Sequence, residues 1–196
     1  MVFAGFMTGL AAWTKNEGSL FLVISTGVLF AASLWKREFK SWFSYLAGML
    51  LPLVLLFYFK FQVAPKSEFL GGSGKIIQDL TDPSRHQLIF NYFKGFLLYG
   101  GGWGGVGIYL ILCGYFVLFH SRINDAPEVV TISLAIFACQ IVGYYFFYVI
   151  SPYDLKWHLD YSLGRLFVQI YPAVVFVVLA ASQTPELIFS PEKANN

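Results

Sequence analysis

The chain has 196 residues, of which 57% are hydrophobic and only 12% charged, with a formal net charge of +2. Soluble domains carry about 25% charged residues, so this deficit excludes an ordinary soluble domain and points to an integral membrane protein. So small a positive charge, with no basic stripe interleaved with aromatics, gives no ground for a nucleic-acid partner.

Cys113 and Cys139 both lie inside apolar runs. They read as small core hydrophobes and not as a disulfide. There is no N-x-S/T acceptor, and no basic n-region precedes the first apolar run.

That first run, residues 2–13, is apolar and rich in small residues. A helix from Met1 to Trp13 reaches about 20 Å, against a hydrocarbon core of about 30 Å. One reading is an interfacial helix. The lack of a strongly polar face favours another, the tail of a transmembrane helix that begins upstream. The chain is therefore expected to be the C-terminal part of a longer protein. After TKNEG at 14–18, residues 19–35 are long enough to span, and the basic cluster KREFK at 36–40 closes that span. Residues 42–61 span again, with Pro52 expected to kink the helix.

A polar segment at 62–87 contains GGSGK, Asp79, Asp82, Pro83 and Arg85, and reads as an extramembrane loop. Residues 88–99 suit a short amphipathic helix on the membrane surface. GGGWGG at 100–105 reads as a flexible joint and lacks the spacing of a phosphate loop. Residues 106–119 span and end at His120, Ser121 and Arg122; residues 129–150 and 166–182 span as well, and the tail at 183–196 is polar. The expected fold is all-α: a polytopic transmembrane helix bundle over residues 1–182, with about five full spans plus one truncated N-terminal helix.

Each full span switches sides. Residues 15–17, the segment 62–87 and the stretch SPYDLKWHLD then fall on one face, while KREFK, HSR and the tail fall on the other. The KREFK cluster marks its own face as cytoplasmic under the positive-inside rule. The opposite face carries more basic residues in total, which an anion bound there would explain.

The densest polar set beside a span is at 151–169, SPYDLKWHLDYSLGRLFVQ. Pro152 fits a helix start. Asp154, His158, Tyr161, Arg165 and Gln169 follow at offsets 0, 4, 7, 11 and 15, one stripe of a helix. Snorkelling of Arg165 and Lys156, with Asp154 as a plain first-turn acid, is the bland explanation. Against it, Arg165 and Gln169 lie about three and four turns below the polar boundary, where an Arg needs a carboxylate or an anionic head group. Lys15 and Glu17 have an equally ordinary reading as helix-dipole charges, beside a functional one in which Lys15 binds a phosphate and Glu17 orients it.

Metal binding is not expected, since His86, His120 and His158 lie in different segments. Glu68, Asp79 and Asp82 could hold a divalent cation, although a solvated acidic loop is the commoner arrangement. The aromatic run at 144–148 reads as interfacial belt and lipid-facing surface.

GLAAWTKNEG at 9–18 and SPYDLKWHLDYSLGRLFVQIYP at 151–172 resemble motifs of multi-pass glycosyltransferases of the GT-C type. This superfamily includes the protein mannosyltransferase and aminoarabinose transferase relatives. The resemblance implies a cell-membrane protein with its site on the extracytoplasmic face. It also implies a polyprenyl-phosphate-linked sugar as donor and a lipid, glycan or protein as acceptor. By the same resemblance, Lys15 and Arg165 would contact the donor phosphate, and Asp154 and His158 would line the sugar or acceptor pocket, with Glu17, Tyr161 and Gln169 beside them. The family's general base sits in a first extracytoplasmic loop that no part of this chain matches. The chain alone is thus expected to be catalytically inactive. A transporter or flippase-like protein and a non-catalytic membrane scaffold are the alternatives.

Overall fold

The computed structural model describes residues 1–63, 73–99, 107–119 and 127–182. Every regular element among them is helical. In chain order these are α1 (Val2–Thr14), α2 (Asn16–Lys36), α3 (Lys40–Gln62), α4 (Ser73–Thr81), α5 (Pro83–Tyr99), α6 (Ile108–Phe119), α7 (Pro127–Val149) and α8 (Leu155–Ala181). Helices α2, α3, α7 and α8 are each long and apolar enough to cross a membrane. A helix satisfies its backbone hydrogen bonds internally, which is what a segment in hydrocarbon requires. The chain is an all-α, multi-pass membrane helix bundle, as its composition predicts.

Three details differ from the sequence reading. Helix α6 has 12 described residues, about 18 Å of helix, which is short of the hydrocarbon thickness. The segment 62–87 is largely helical where it is described: α3 runs to Gln62, and α4 and α5 take up residues 73–81 and 83–87. Helix α5 starts five residues earlier than expected and is packed, not merely surface-lying, since Ile89 and Phe93 are buried. The joint at 100–105, the HSR cluster at 120–122, the tail at 183–196 and Glu68 lie outside the described residues.

The chain divides into two compact units, Met1–Ser73 with Leu134–Tyr144, and Gly74–Ser133 with Tyr145–Asn196. In the first, α1 lies directly on α3. A Cβ on Gly5 would overlap the carbonyl oxygen of Tyr45, and one on Gly48 would overlap that of Val2. Small residues at such spacing let helix backbones approach without an intervening side chain. Gly9 meets the Pro52 ring, where an added Cβ would stand 2.7 Å from the proline Cβ. Helix α3 continues through Pro52 to Gln62. A buried hydroxyl here is paired: that of Ser25 lies 2.9 Å from the Tyr45 hydroxyl and donates to the Phe21 carbonyl at 2.6 Å. Helix α2 ends in a Schellman turn, with the Glu38 N–H on the Ser33 carbonyl and Arg37 in the left-handed region at φ 55°.

The core of the second unit is aromatic. The Phe93 ring meets Tyr145, Tyr148 and Phe167 edge-on, and Phe96 stacks on Phe167. Tyr109 of α6 donates to the Phe167 carbonyl at 2.8 Å, close to the turn where Pro172 removes a backbone donor from α8. Both cysteines are exposed free thiols. They face outward from apolar helices and are not core residues, which corrects the reading from their apolar neighbours.

Candidate functional site

The stretch at 151–169 is built at the junction of α7 and α8. Helix α7 stops at Val149, leaving carbonyls without intrahelical partners. Arg85 of α5 fills that gap: its Nε donates to the Val149 carbonyl at 2.9 Å, and its Nη2 donates to Ser151 at 2.8 Å and to Tyr148 at 3.2 Å. The guanidinium fork suits this convergent set, and its charge complements the negative end of the helix. Its Nη1 faces the Asp79 carboxylate at 3.5 Å, with the two side chains only 13% and 12% exposed. Asp79 therefore belongs to a buried pair instead of a solvated acidic loop.

Arg85 is held at the start of α5 by a sequence-legible cap. Asp82 precedes Pro83, the first residue of α5, and its Oδ1 accepts both the Ser84 N–H at 2.9 Å and the Ser84 hydroxyl at 2.7 Å. Those two hydrogen bonds, the hydroxyl first, hold the Asp82 carboxyl below its ordinary value. His86 spans the next contact: its Nε2 donates to the Leu80 carbonyl at 2.9 Å, so Nδ1 accepts from the Tyr145 hydroxyl at 2.6 Å in the neutral ring. With Asp79 and Asp82 committed in this way, no group of three or more possible metal ligands forms among the described residues.

Helix α8 starts at Leu155, so Pro152 stands three residues before its first residue and not at it. Asp154 is its N-cap, and Oδ1 accepts the Trp157 N–H at 2.8 Å. His158 sits half-buried against the Phe147, Tyr148 and Tyr153 rings, with Nδ1 at 2.8 Å from the Ser151 hydroxyl. That distance is one a nucleophile–base pair would have. The surroundings argue for a structural role: Ser151 is 1% exposed, and Asp154 faces a backbone amide and does not orient the imidazole. Below it, the Ser162 hydroxyl donates to the His158 carbonyl at 2.6 Å and lies 2.6 Å from the buried Tyr148 hydroxyl. Two residues from His158, on the other side of the helix, Asp160 accepts the Tyr92 hydroxyl at 2.6 Å, and this bond raises the Tyr92 phenol above its ordinary value.

The remaining stripe residues are open. Tyr161 is 69% exposed, and Arg165 and Gln169 are exposed. The opposite face, from Leu155 through Leu159, Leu163 and Leu166, is buried. Arg165 makes no hydrogen bond or ion pair among the described residues. Helix α8 has 27 residues, about 40 Å. With Ala181 at one edge of a hydrocarbon core of about 30 Å, the other edge falls near Ser162. Arg165 is then a single turn inside it, nearer the boundary than hydropathy alone suggests.

Lys15 and Glu17 belong to the first unit, and the five α8 residues belong to the second. Lys15 alone connects α1 to α2, in extended conformation, and is exposed. Its carbonyl accepts the Gly18 N–H at 3.0 Å. Glu17 is half-buried in the first turn of α2, where the helix dipole favours an acid. Gly18 has a packing reason, since a Cβ there would overlap the Ala11 carbonyl oxygen.

Sequence reasoning passed over Arg85 as a loop cation. The Asp82-Pro83 pair was the signal that a helix begins there and that Arg85 sits in its first turn. In comparisons with known proteins, the chain matches no family model, no curated protein and no solved structure.

Proposed function

We propose that this chain forms the donor-binding part of a membrane glycosyltransferase of the GT-C type. The donor is a sugar on a polyprenyl phosphate, bound at the extracytoplasmic face of a cell membrane. The observation that carries this reading is Arg165: an exposed guanidinium at the hydrocarbon edge of α8, with no partner among the described residues. One turn inside the edge, its side chain reaches the headgroup level, where a lipid phosphate is an anion that can meet it. The resemblance of 9–18 and 151–172 to GT-C motifs supports the same reading.

In transfer, the bond between the anomeric carbon and the phosphate oxygen breaks, and charge grows on the leaving phosphate. A guanidinium held against those oxygens stabilises that charge. The acceptor hydroxyl loses its proton to a base that the resemblance places in a loop this chain does not match.

The test is lipid retention. Purified protein in detergent is titrated with decaprenyl phosphate and followed by native mass spectrometry, against phosphatidylethanolamine as reference. Arg165→Ala is expected to weaken decaprenyl phosphate binding about tenfold or more, and Arg165→Lys to retain part of it. Equal retention by wild type and Arg165→Ala would sink the reading.

A further inference from the structure

The open face of α8 continues past Arg165 in both directions, and its chemistry changes in a definite order. Trp157, Tyr161, Arg165, Val168, Phe176 and Leu179 share one helix face, being spaced by multiples of three and four residues, and all are exposed. At the N-terminal end the rings form a ladder: Trp157 and Tyr161 have centroids 5.4 Å apart, and Tyr153 extends it at 6.5 Å from Trp157. Trp157 is 55% exposed and Phe176 71%. Arg165 lies about 6 Å along the axis from Tyr161 and about 12 Å from Trp157. Beyond Arg165 the face carries the exposed Gln169 carboxamide one turn on and is then apolar to the helix end.

Aromatic residues at a membrane boundary are ordinary. The order along this face is more particular: open rings, then one cation with a carboxamide a turn beyond it, then an apolar track. A sugar–phosphate–lipid amphiphile has the same order, and the separation matches, since one sugar ring separates its phosphate from its outer edge. Asp154 and His158, the polar candidates for sugar contact, are engaged with the Trp157 amide and the Ser151 hydroxyl. The open groups at the level of the sugar are instead the two rings.

We infer that Trp157 and Tyr161 form a stacking platform for the sugar ring of a lipid-linked sugar phosphate, whose phosphate sits on Arg165 and whose lipid chain follows Val168, Phe176 and Leu179. The C–H bonds on one face of a sugar ring carry partial positive charge, and the face of an aromatic ring is negative. Trp157 and Tyr161 would thus set preference for the glycosylated over the bare lipid phosphate, while Arg165 sets affinity for both. The inference rests on the donor-binding reading of Arg165.

The two can be separated by one experiment. The full chain, in detergent and in phosphatidylethanolamine nanodiscs, is titrated with decaprenyl phosphate and with decaprenyl-phosphate mannose, and binding is read by native mass spectrometry. Wild type is expected to favour the mannosylated lipid by about tenfold. Trp157→Ala and Tyr161→Ala should each reduce that ratio about three- to tenfold with decaprenyl phosphate affinity unchanged. Trp157→Phe and Tyr161→Phe should restore it. Both side chains are exposed, so the variants are expected to fold, and matched thermal unfolding checks this. A ratio unmoved by either alanine variant overturns the platform and leaves the Arg165 reading standing. If phosphatidylglycerol displaces both ligands equally well, or Arg165→Ala changes neither affinity, the face is a general lipid surface and both readings fall.

Discussion

The Arg85 guanidinium of α5 donates to the Ser151 carbonyl 2.8 Å away, at the point where α7 ends and the candidate site begins. One side chain thus ties α5 to the end of α7 and positions the start of α8 through the 149–151 backbone. Removing it leaves the Val149 carbonyl without its donor and Asp79 without its partner.

Arg85→Ala is therefore expected to destabilise the protein by about 2–4 kcal/mol, the range for breaking a largely buried, hydrogen-bonded ion pair. Arg85→Lys should rescue little, because an ammonium cannot reproduce the fork. Thermal unfolding in detergent checks both. A double-mutant cycle with Asp79→Asn should show non-additivity; strictly additive losses would mean that Asp79 and Arg85 act independently.

The contact of α1 with α3 predicts an asymmetry among glycines. Gly48→Ala places a methyl group on the Val2 carbonyl oxygen and should cost about 1–3 kcal/mol by forcing the helices apart. Gly27 in α2 has nothing within 4 Å of an added Cβ, so Gly27→Ala should be neutral or gain up to about 1 kcal/mol. Melting temperatures of the two variants that move together would contradict this packing.

Asp82 offers a pH test with a defined sign. Its carboxyl is held below its ordinary value of 3.8 by the Ser84 hydroxyl and then the Ser84 N–H. A depressed carboxylate contributes stability that is present above the unfolded value and lost as pH falls through the lower folded value. The melting-temperature gap between wild type and Asp82→Ala should therefore be largest near neutral pH and narrow as pH drops below 3.8. A gap constant across that range would show that the carboxylate charge does not contribute.

Gln140 sits in the span of α7, 2% exposed, with Oε1 unpartnered among the described residues. Gln140→Met keeps length and removes a buried polar group without full pairing. Stability should be unchanged or rise by up to about 2 kcal/mol. A loss of more than about 1 kcal/mol would show that the carboxamide's hydrogen bond with buried Tyr144 outweighs its unpaired Oε1.

Much of the architecture is determined locally and was legible. Hydropathy located the four long helices, because a bilayer demands about twenty apolar residues with internally satisfied backbone. Asp154 marked the start of α8, although Pro152 fell outside the helix, and the spacing of Tyr161, Arg165 and Gln169 placed them on one open face. These features depend only on residues near one another in the chain.

Partnership between distant residues was decided by the tertiary structure. Asp79 and Arg85 read as loop charges until α4 and α5 brought them together against the end of α7. His158 belonged to the polar stripe by spacing, yet the Phe147, Tyr148 and Tyr153 rings and the Ser151 hydroxyl hold it half-buried. Cys113 and Cys139 share the apolar character of core residues but point outward, because in a membrane the outer surface is as apolar as the core. A charge or polar group gains a role only from what folding sets beside it, whereas a helix crossing hydrocarbon is specified by its own consecutive residues.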